Sequence, residues 1–593
     1  MNEKLAALRH LMKRHGVQAY LIPSADPHQS EYVPDFWKRR QFITGFTGSA
    51  GDAVVTSNKA GLWVDSRYYL QAEKELKGTG FALFKIGLPG VPTWQEWITK
   101  ELRAGEKLAV DPRLIPHQSY TKLEGDLRRR GISIKPIERN LVDTIWHGRP
   151  DPPLNPVVIL PQKYAGETAK SKLGRLRQKL ADEGADAHVL TTLDAIAWLF
   201  NIRGSDVEFN PVTIAYAVIS RKKASIFIDR KKIKPRFESV LGKEIEIRPY
   251  NDFPSHLRRL GRQRQRIWLD EASASRWIVS LVKGATLILK PGPIALFKAV
   301  KNRTEIAGSR AAHARDGAAM VRFLCWLEKE VPKGRVTELS AAKKLEEFRG
   351  RQNSYRGLSF RTISSYGEHG AVVHYAVSAA TDIPLRPKGI YLIDSGSQYL
   401  DATTDITRTV ALGKTTDEQR DRFTRVLKGV IALSTASFPQ GTSGPQLDIL
   451  ARNALWEKGL NYGHGTGHGI GAYLNVHEGP QSIAPARGFG IALEPGMILS
   501  VEPGFYKEGQ YGLRVENLVL VIRNEAKSTP SAPFYTFETL TLCPLDMRLV
   551  KRKLLAESDG LWLNRYHQRV RQILTPLLDR SEADWLAEAA API

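Results

Sequence analysis

Residues 390–410 read IYLIDSGSQYLDATTDITRTV, and this stretch decides the fold of the second half of the chain. One apolar run ends in a carboxylate, Asp394, and another apolar run begins just after a second carboxylate, Asp405. The stretch between them is long enough for a hairpin. Two antiparallel strands can present both carboxylates on one face of a sheet. Burying a carboxylate is costly unless it is paired or bound to a metal.

Three later segments continue this pattern of apolar strands beside ionisable side chains. Residues 464–471 read HGTGHGIG, and their glycines argue against a helix and let the backbone approach a bound group closely. The apolar run MILSV then leads into Glu502. Residues 512–520 read GLRVENLVL, which predicts a single strand with Arg514 and Glu516 on one face.

The ordered series Asp, Asp, His, Glu and Glu within one block indicates a metal site. Taken singly, each residue has a simpler explanation, because an aspartate after a strand is usually a turn residue and a histidine is usually a hydrogen-bonded structural group. Four carboxylates in one pocket, however, need divalent cations to neutralise them. Oxygen donors with one imidazole favour Mn(II), with Co(II) or Zn(II) as alternatives, over a thiolate zinc site.

Two proline-rich stretches divide the 593 residues into three blocks. They read RPDPPLNP at residues 149–156 and KPGP at residues 290–293, and such sequences rarely continue a helix or a central strand. We therefore predict domains at residues 1–155, 156–295 and 296–593. Two helices with apolar residues at helical spacing are predicted in the third block, on Met320, Phe323, Leu324 and Leu327 and on Trp562, Tyr566, Val570 and Ile573.

The first two blocks resemble each other and predict a duplicated α/β unit. Each begins with a basic amphipathic helix, followed by a glycine and an apolar strand, at Gly16 and at Gly184. Each continues with a Gly-Ser pair and a strand that ends in aspartate: Gly48-Ser49 and Asp65 in the first block, and Gly204-Ser205 and Asp229 in the second. Chance similarity of two small α/β units is the alternative.

Composition excludes several classes of protein. An apolar content of 42% and a charged content of 25% are typical of a soluble globular protein. The first residues lack the apolar core of a secretory signal, and no apolar run approaches the roughly 18 residues of a membrane span. The two cysteines, Cys325 and Cys543, are too few for a disulfide framework and predict reduced thiols in a cytoplasmic protein.

The net charge of +24 raises the question of a nucleic-acid or membrane partner. The basic residues are scattered in short groups, as at residues 128–130, 221–223 and 258–266, and no low-complexity basic tail is present. This distribution favours a solvated basic surface, so we expect no nucleic-acid partner and no membrane partner.

Several motifs resemble those of the Xaa-Pro aminopeptidases (aminopeptidase P), which belong to the pita-bread metallopeptidase superfamily. Residues 201–206 (NIRGSD), 374–376 (HYA), 464–471 and 475–480 (NVHEGP) are similar to the long, three-domain cytosolic form nearly letter for letter. The resemblance extends over the whole chain. It implies two creatinase-N-like α/β domains followed by a pita-bread α+β catalytic domain.

The resemblance also implies roles for individual residues. Five would bind two divalent metal ions, namely Asp394, Asp405, His468, Glu502 and Glu516. Asp405 and Glu516 would bridge the ions, and Arg514 would steady a bridging carboxylate. Three histidines would surround the substrate, namely His374, His464 and His477. The departures from the family pattern lie in flanking residues, at His369, Val372-Val373 and a basic stretch around Arg487.

The implied reaction is hydrolysis of the bond between the first residue of a peptide and a proline in second position, by a water molecule that two metal ions activate. Asp394 would lie near the substrate amino terminus, His477 would polarise the scissile carbonyl, and Glu502 would transfer the proton of the water. The proline nitrogen carries no N–H, so a pocket shaped for its ring would set the specificity. His374 and His464 would form its wall.

The resemblance further implies a homodimer, in which Arg67 matches a position near the substrate channel of a neighbouring subunit. A structural ion pair is the alternative explanation for Arg67. Two other functions stay open from the sequence. A prolidase-type dipeptidase would use the same five ligands, although prolidases typically have two domains. A non-catalytic pita-bread protein that binds histones or RNA would suit the basic charge, but such members lose ligands that this chain keeps.

Overall fold

The computed structural model describes residues 3–235, 237–485 and 490–593. The chain forms two compact units, one made of Met1–Leu160 with Glu167–Ile294 and the other of Pro161–Gly166 with Ala295–Ile593. The basic stretch around Arg487 lies outside the described residues. Within the described ranges, none of the helices combines the length and the apolar character that crossing a membrane requires.

The first part of the N-terminal unit is built on one six-stranded sheet. Its strands are β1 (Ala19–Ile22), β2 (Asp52–Thr56), β3 (Ala60–Val64), β4 (Ala82–Lys85), β5 (Lys107–Val110) and β6 (Ser133–Pro136). Its helices are α1 (Glu3–Arg14), α2 (Arg39–Thr44), α3 (Tyr69–Glu75), α4 (Trp94–Glu101), α5 (His117–Arg128) and α6 (Leu141–Ile145). The strand order is β4-β3-β2-β1-β5-β6, with β1, β2 and β3 antiparallel and the outer strands added in parallel.

Both faces of this sheet are buried, as expected for strands with continuous apolar runs. Tyr20 and Ile22 of β1 pack into one apolar cluster, and Ala19 and Leu21 pack into a second cluster on the opposite face. Alternate side chains of one strand therefore serve two separate cores.

The second part of the N-terminal unit repeats this architecture. Its strands are β7 (Val158–Ile159), β8 (Ala187–Leu190), β9 (Ile202–Arg203), β10 (Ala215–Ser220), β11 (Ala224–Ile228), β12 (Ile245–Pro249), β13 (Arg266–Leu269) and β14 (Thr286–Leu289). The helices of this part are α8 (Ala169–Asp182), α9 (Leu193–Phe200), α10 (Phe237–Leu241), α11 (Phe253–Arg262) and α12 (Arg276–Leu281). Two short helices that border it in sequence, α7 (Gln162–Ala165) and all but the first two residues of α13 (Pro293–Ala299), belong to the other unit. The sheet order is β12-β11-β10-β8-β13-β14, while β7 and β9 pair separately.

The two sheets therefore share one topology, which confirms the predicted duplication. The two helices that precede them also end alike. Gly16 after α1 and Gly184 after α8 both have a φ of +62°, in the left-handed region that glycine adopts without strain. The next residue donates its backbone N–H back into the helix in both cases, from Val17 to Met12 at 3.0 Å and from Ala185 to Leu180 at 2.8 Å.

The other unit contains the last fourteen strands and the last six helices of the described chain, together with α7 and most of α13. The strands are β15 (Tyr355–Leu358), β16 (Ile363–Tyr366), β17 (Ile390–Ser395), β18 (Ser397–Tyr399), β19 (Ala402–Thr403), β20 (Ile406–Ala411), β21 (Ser437–Pro439), β22 (Gly467–Gly469), β23 (Glu478–Ile483), β24 (Ile498–Val501), β25 (Gly504–Lys507), β26 (Tyr511–Arg514), β27 (Asn517–Arg523) and β28 (Phe534–Thr539). The helices are α14 (Arg303–Glu330), α15 (Glu338–Gly350), α16 (Asp417–Ser434), α17 (Gly444–Trp456), α18 (Glu557–Leu574) and α19 (Arg580–Ala589).

Two sheets in this unit carry the predicted ligands. One has the order β16-β17-β20, and the other has the order β21-β28-β27-β24-β22-β23. Apolar side chains of α16, α17 and α18 pack with the strands of the second sheet in one large core. The two predicted helices are confirmed as parts of α14 and α18.

The strands around Asp394 and Asp405 pair as predicted. β17 and β20 are antiparallel, and Asp394 lies opposite Thr407. The prediction of a single strand over residues 512–520 is wrong. β26 ends at Arg514 and β27 begins at Asn517, because β26 pairs with β25 whereas β27 pairs with β24. The chain thus changes partner strands at the point where Glu516 is placed.

Candidate metal centre

The five predicted ligands come from strand ends in the second unit. Asp394 lies within β17, Asp405 immediately precedes β20 and His468 lies in β22. Glu502 follows β24 by one residue, and Glu516 occupies the break between β26 and β27. Strand ends suit this task, because the ladder fixes the backbone while the last side chain is free to turn toward a shared pocket.

Three of these residues meet closely enough to hold one cation. One ligand atom from each of Asp405, His468 and Glu516 lies within 4.8 Å of the other two. The His468 Nε2 atom is 3.4 Å from Glu502 Oε1 and 3.6 Å from Asp405 Oδ2. These distances leave a gap between the donor atoms that suits an ion of the size of Mn(II) or Zn(II).

The orientation of the His468 ring is fixed by a hydrogen bond on the side away from the carboxylates. Its Nδ1 atom lies 3.0 Å from the carbonyl oxygen of Gly469 and donates to it. In the neutral ring this leaves the lone pair of Nε2 facing the carboxylates, which is the tautomer that a metal-binding histidine requires. The His468 backbone N–H donates to Ser500 Oγ at 2.9 Å, and this hydroxyl donates to Glu502 Oε1 at 3.2 Å.

Three buried carboxylate oxygens in this pocket accept no hydrogen bond from any described residue, namely Asp394 Oδ1, Asp405 Oδ1 and Glu516 Oε1. Burial, followed by the neighbouring carboxylates, raises the pKa of Asp405 and the pKa of Glu516 well above their usual range. Burial likewise raises the pKa of Glu502 to about 7, although Arg514 opposes the shift. The residues therefore fit a group that brings positive charge, and two divalent cations would supply it.

Arg514 donates a hydrogen bond to the side chain of a predicted ligand. Its Nη2 atom donates to Asp394 Oδ2 at 2.6 Å, and its Nη1 atom donates to the hydroxyl of Tyr506 at 2.6 Å. His464 Nε2 lies 2.8 Å from the same hydroxyl. A continuous chain of hydrogen bonds thus runs from His464 through Tyr506 and Arg514 to Asp394.

Tyr506 is a residue that the sequence did not single out. Burial raises its pKa to about 12, while the Arg514 guanidinium opposes the shift, so the hydroxyl stays protonated. No motif spacing marks it, because the antiparallel pairing of β25 and β26 brings it to Arg514. A weak signal existed in the sequence, since Tyr506 follows the Glu502 motif closely on a strand that pairs with the Arg514 strand.

Glu516 is held by two residues that sequence reasoning also missed. Thr407 Oγ1 donates to Glu516 Oε2 at 2.9 Å, and the Glu516 N–H donates to the Thr407 carbonyl at 3.1 Å. The Arg408 guanidinium donates to the Glu516 carbonyl at 2.6 Å. Arg408 is 1% exposed, so this contact belongs to the interior of the unit.

The three predicted substrate histidines lie around this pocket in different ways. The rings of His477 and His468 are 4.3 Å apart and nearly perpendicular, so His477 borders the ligands directly. His464 joins the pocket through Tyr506. His374 is half-buried, and Arg514 Nη2 lies 3.5 Å from the carbonyl oxygen of Val373, the residue before it.

One departure from the family pattern, His369, has a structural role. Its Nδ1 atom lies 2.9 Å from an oxygen of Glu338, which is fully buried. The hydroxyl of Tyr375 donates to the same carboxylate at 3.1 Å. Glu338 therefore anchors the loop on both sides of His374.

Arg67 lies in the N-terminal unit, where it forms an ion pair within its own turn. Its Nε and Nη2 atoms donate to the two carboxylate oxygens of Asp65, at 2.8 and 2.7 Å. Its guanidinium carbon also lies 5.3 Å from the centre of the Tyr68 ring. This geometry is the ion pair that the sequence offered as the alternative explanation for Arg67.

Models of known families match nearly the whole chain. The Creatinase/Prolidase N-terminal domain matches residues 4–144, and a second model of that domain matches residues 148–305. Metallopeptidase family M24 matches residues 307–523, and the C-terminal region of peptidase M24 matches residues 533–593. These matches confirm the predicted fold class of two creatinase-N-like domains before a pita-bread domain.

Two full-length relatives share one name. The probable Xaa-Pro aminopeptidase P of Neosartorya fischeri is 44% identical, over 100% of this chain and 92% of that protein. The probable Xaa-Pro aminopeptidase P of Sordaria macrospora is 42% identical, over 100% of this chain and 99% of that protein.

Solved structures agree with these relatives. The X-prolyl aminopeptidase of Caenorhabditis elegans, described as a cytosolic enzyme with a di-nuclear active site, has a TM-score of 0.96 and 38% identity over 100% of this chain and 99% of its own. The Xaa-Pro dipeptidase of Bacillus anthracis has a TM-score of 0.51 and 26% identity, and covers 64% of this chain and 99% of its own. On the strength of its full-length relatives, this chain belongs to the Xaa-Pro aminopeptidase P family of M24 metallopeptidases.

Proposed function

We propose that this chain is a metal-dependent aminopeptidase that removes the first residue from peptides with proline in second position. One observation carries the proposal. Carboxylate oxygens of three predicted ligands are buried without a hydrogen-bonding partner among the described residues, in a chain whose full-length relatives are named Xaa-Pro aminopeptidase P. Such a pocket suits divalent metal ions that also take part in peptide hydrolysis.

Five residues would hold two divalent ions, namely Asp394, Asp405, His468, Glu502 and Glu516. We would place Asp405 and Glu516 between the ions, because both are buried, both carry an oxygen without a partner among the described residues, and neither side chain accepts from Arg514 as that of Asp394 does. We propose Mn(II) as the native metal, with Co(II) or Zn(II) as alternatives, on the basis of the oxygen-rich donor set. Bound ions of this kind polarise a carbonyl group and lower the pKa of a water molecule.

Glu502 is our candidate for proton transfer. Its side chain is 19% exposed, against 5% for that of Asp405, so it is the more accessible to an attacking water. It would accept the proton of that water and return it to the leaving proline nitrogen. That nitrogen carries no N–H in the substrate, so it needs this proton before the chain can leave.

Four further side chains would bind and orient the substrate and the ligands. His477 would donate to the oxygen of the scissile carbonyl, where negative charge develops. His374 and His464 would form the wall of the proline pocket. The side chain of Arg514 bonds Asp394 and neither of the carboxylates that we place between the ions, so it would hold Asp394 in position in place of the bridging carboxylate expected from the sequence.

We also propose domain boundaries at residues 155 and 295 and a cytoplasmic location. We propose a homodimer, since closed two-fold symmetry is the commonest form of assembly. In the dimer, Arg67 of one subunit would approach the substrate of the other, which requires its ion pair with Asp65 to be shared or exchanged. We propose no nucleic-acid partner and no membrane partner. Light scattering tests the dimer, which should have about twice the monomer mass of 66.3 kDa.

The alternative is a prolidase-type dipeptidase, and a peptide panel separates the two. The protein is stripped of metal, reloaded with Mn(II), Co(II) or Zn(II), and assayed on an Xaa-Pro dipeptide, an Arg-Pro-Pro tripeptide and longer Xaa-Pro peptides. We expect turnover of tripeptides and longer peptides. Turnover of the dipeptide alone would favour the prolidase. No turnover with any metal, together with failure to bind one, would favour a non-catalytic binding protein.

A further inference from the structure

A second group of buried charges lies beside the candidate metal centre and includes none of its ligands. Lys298, Lys301 and Glu478 are each 3% to 4% exposed. The Lys298 Nζ atom is 3.0 Å from Glu478 Oε2, and Lys301 Nζ pairs with Glu478 Oε1. Each oxygen of one carboxylate therefore faces its own lysine. We call these three residues the ionic clamp.

The two lysines of the ionic clamp also bond to the backbone. Lys301 Nζ donates to the carbonyl oxygens of Lys298 at 2.6 Å and of Ala299 at 3.4 Å, at the end of α13. Lys298 Nζ donates to the carbonyl of Gly479 at 3.4 Å. The clamp thus ties the last turn of α13 to both the side chain and the backbone at the start of β23.

Stability alone does not explain such an arrangement. Replacing a buried ion pair by apolar residues of similar volume is often neutral or stabilising, because desolvation of the charges offsets their attraction. The charge-assisted hydrogen bond from Lys301 to Oε1, together with the Lys298 ammonium 3.0 Å from Oε2, holds the Glu478 carboxylate from two directions. The buried charges would therefore be explained if a side chain next to the clamp needed exact placement.

His477 is such a group, because it is bonded through the chain directly to Glu478. Glu478 pairs with Gly469, which follows the predicted ligand His468 on β22. The His477 ring meets the His468 ring at 4.3 Å and 89°. A rotation of the Glu478 backbone would move His477 across the face of His468.

We propose that the ionic clamp positions His477 for the reaction, so that Lys298, Lys301 and Glu478 act on turnover through this histidine. The inference rests on the proposed aminopeptidase function. It adds three positioning residues that are outside the sets of ligands and substrate-binding side chains proposed above. Outer residues that orient an active-site group typically change activity by about 10- to 100-fold when they are removed.

The test is a double-mutant cycle on the metal-loaded full-length protein, with Lys301→Met and His477→Ala as the single changes. We expect Lys301→Met to lower kcat by about 10- to 100-fold with KM changed less than about threefold and metal content unchanged. In the His477→Ala background the same change should lower kcat by less than about threefold, because the group it positions is gone. Fold losses that multiply in the double variant would overturn the proposal.

Two further variants separate positioning from folding. Lys298→Met, Lys301→Met and Glu478→Leu together remove all the buried charge, so this triple variant should fold even where a single change does not. It should keep the lowered kcat, and a fully active triple variant would refute the clamp.

Lys232→Met is the matched control, because Lys232 pairs at 2.6 Å with Asp206 in the N-terminal unit and is 3% exposed. It should lower thermal stability and leave kcat unchanged. An inactive wild type would instead contradict the proposed function itself.

Discussion

Asp206 in the N-terminal unit and Asp405 in the other unit are buried to the same degree, at 5% and 4% exposure, yet their surroundings differ. Asp206 Oδ2 accepts hydrogen bonds from Lys232 at 2.6 Å, Thr213 at 2.8 Å and the Ile214 N–H at 2.7 Å. Asp405 faces other carboxylates, and its pKa is raised well above the usual range by burial and by Glu516.

This difference in surroundings distinguishes a buried carboxylate with a structural role from one with a functional role. A buried carboxylate beside a lysine has its charge balanced within the protein, as Lys232 balances Asp206, although Asp206 Oδ1 accepts no hydrogen bond from the described residues. A buried carboxylate among like charges is complete only with a further cation. The surroundings of Asp206 therefore fit a structural role in the N-terminal unit, whereas those of Asp405 fit the metal-binding role that we propose for it.

The largest expected effect is the loss of metal on neutralising a bridging carboxylate. Glu516→Gln or Asp405→Asn should abolish turnover, because a neutral amide leaves the charge of two cations uncompensated. Emission spectroscopy of the purified variants should show that at least one of the two ions is missing. Asp206→Asn is the control and should keep both ions. Full occupancy in Glu516→Gln would contradict the bridging role.

A smaller effect is expected for the histidine beside the ligands. His477→Ala should lower kcat by about 100- to 1,000-fold while both ions stay bound, because it removes one donor to the developing oxyanion. Steady-state kinetics and metal analysis on the same sample check this. Parallel loss of metal and turnover would instead make His477 a ligand or a structural residue.

The close approach of Asp405, His468, Glu502 and Glu516 was predictable because the residues form one ordered series beside apolar strands, although each taken alone has a simpler explanation. Asp394 and Glu502 end apolar runs, and His468 lies in a glycine-rich segment that cannot be a helix. The paired strands around Asp394 were predictable for the same reason. The two α/β sheets were predictable because the chain repeats its own pattern of helix, glycine and strand.

The supporting residues were not predictable, since long-range pairing brings them in. Tyr506 reaches Arg514 only because β25 and β26 form a hairpin. Lys298 meets Glu478 only in the folded unit. The break before Asn517 was missed because an apolar run does not show that its two halves pair with different strands.

The crowding of carboxylates also predicts an unusual dependence of stability on pH. In the metal-free protein Glu502 holds its proton up to about pH 7, whereas in the unfolded chain it releases it near the ordinary value of 4.5. Between these values the folded state binds more protons, so the free energy of unfolding decreases as pH rises. At 1.36 kcal/mol per pKa unit, the raised pKa of Glu502 lowers the free energy of unfolding by about 3 kcal/mol across this pH range.

Urea unfolding of the metal-free protein from pH 5 to pH 8 measures this trend. The midpoint for the unit that contains Glu502 should decrease with pH. Adding Mn(II) should reverse the trend, because the metal binds the deprotonated carboxylates and so stabilises the folded state more at high pH. A midpoint that rises with pH in the metal-free protein would show that the carboxylates are already neutralised within the fold.

The smallest effect concerns the two repeats of the N-terminal unit, which should respond alike to the same change. Gly16→Ala should cost about 1–2 kcal/mol, because alanine is strained at a φ of +62°. A Cβ atom at Gly16 would meet no atom within 4 Å, so the cost comes from the backbone alone. At Gly184 the Cβ would lie 3.3 Å from the Arg266 guanidinium, whose flexible end can move, so Gly184→Ala should cost about the same.

Gly125 within α5 is the matched control, since a Cβ atom there would also meet no atom within 4 Å and its φ is not positive. Gly125→Ala should therefore stabilise the protein by about 0.5–1 kcal/mol. Urea unfolding followed by tryptophan fluorescence measures all three variants, and kcat should stay unchanged in each. If Gly16→Ala stabilised the protein as Gly125→Ala does, the shared helix end would not be the feature that the two repeats have in common.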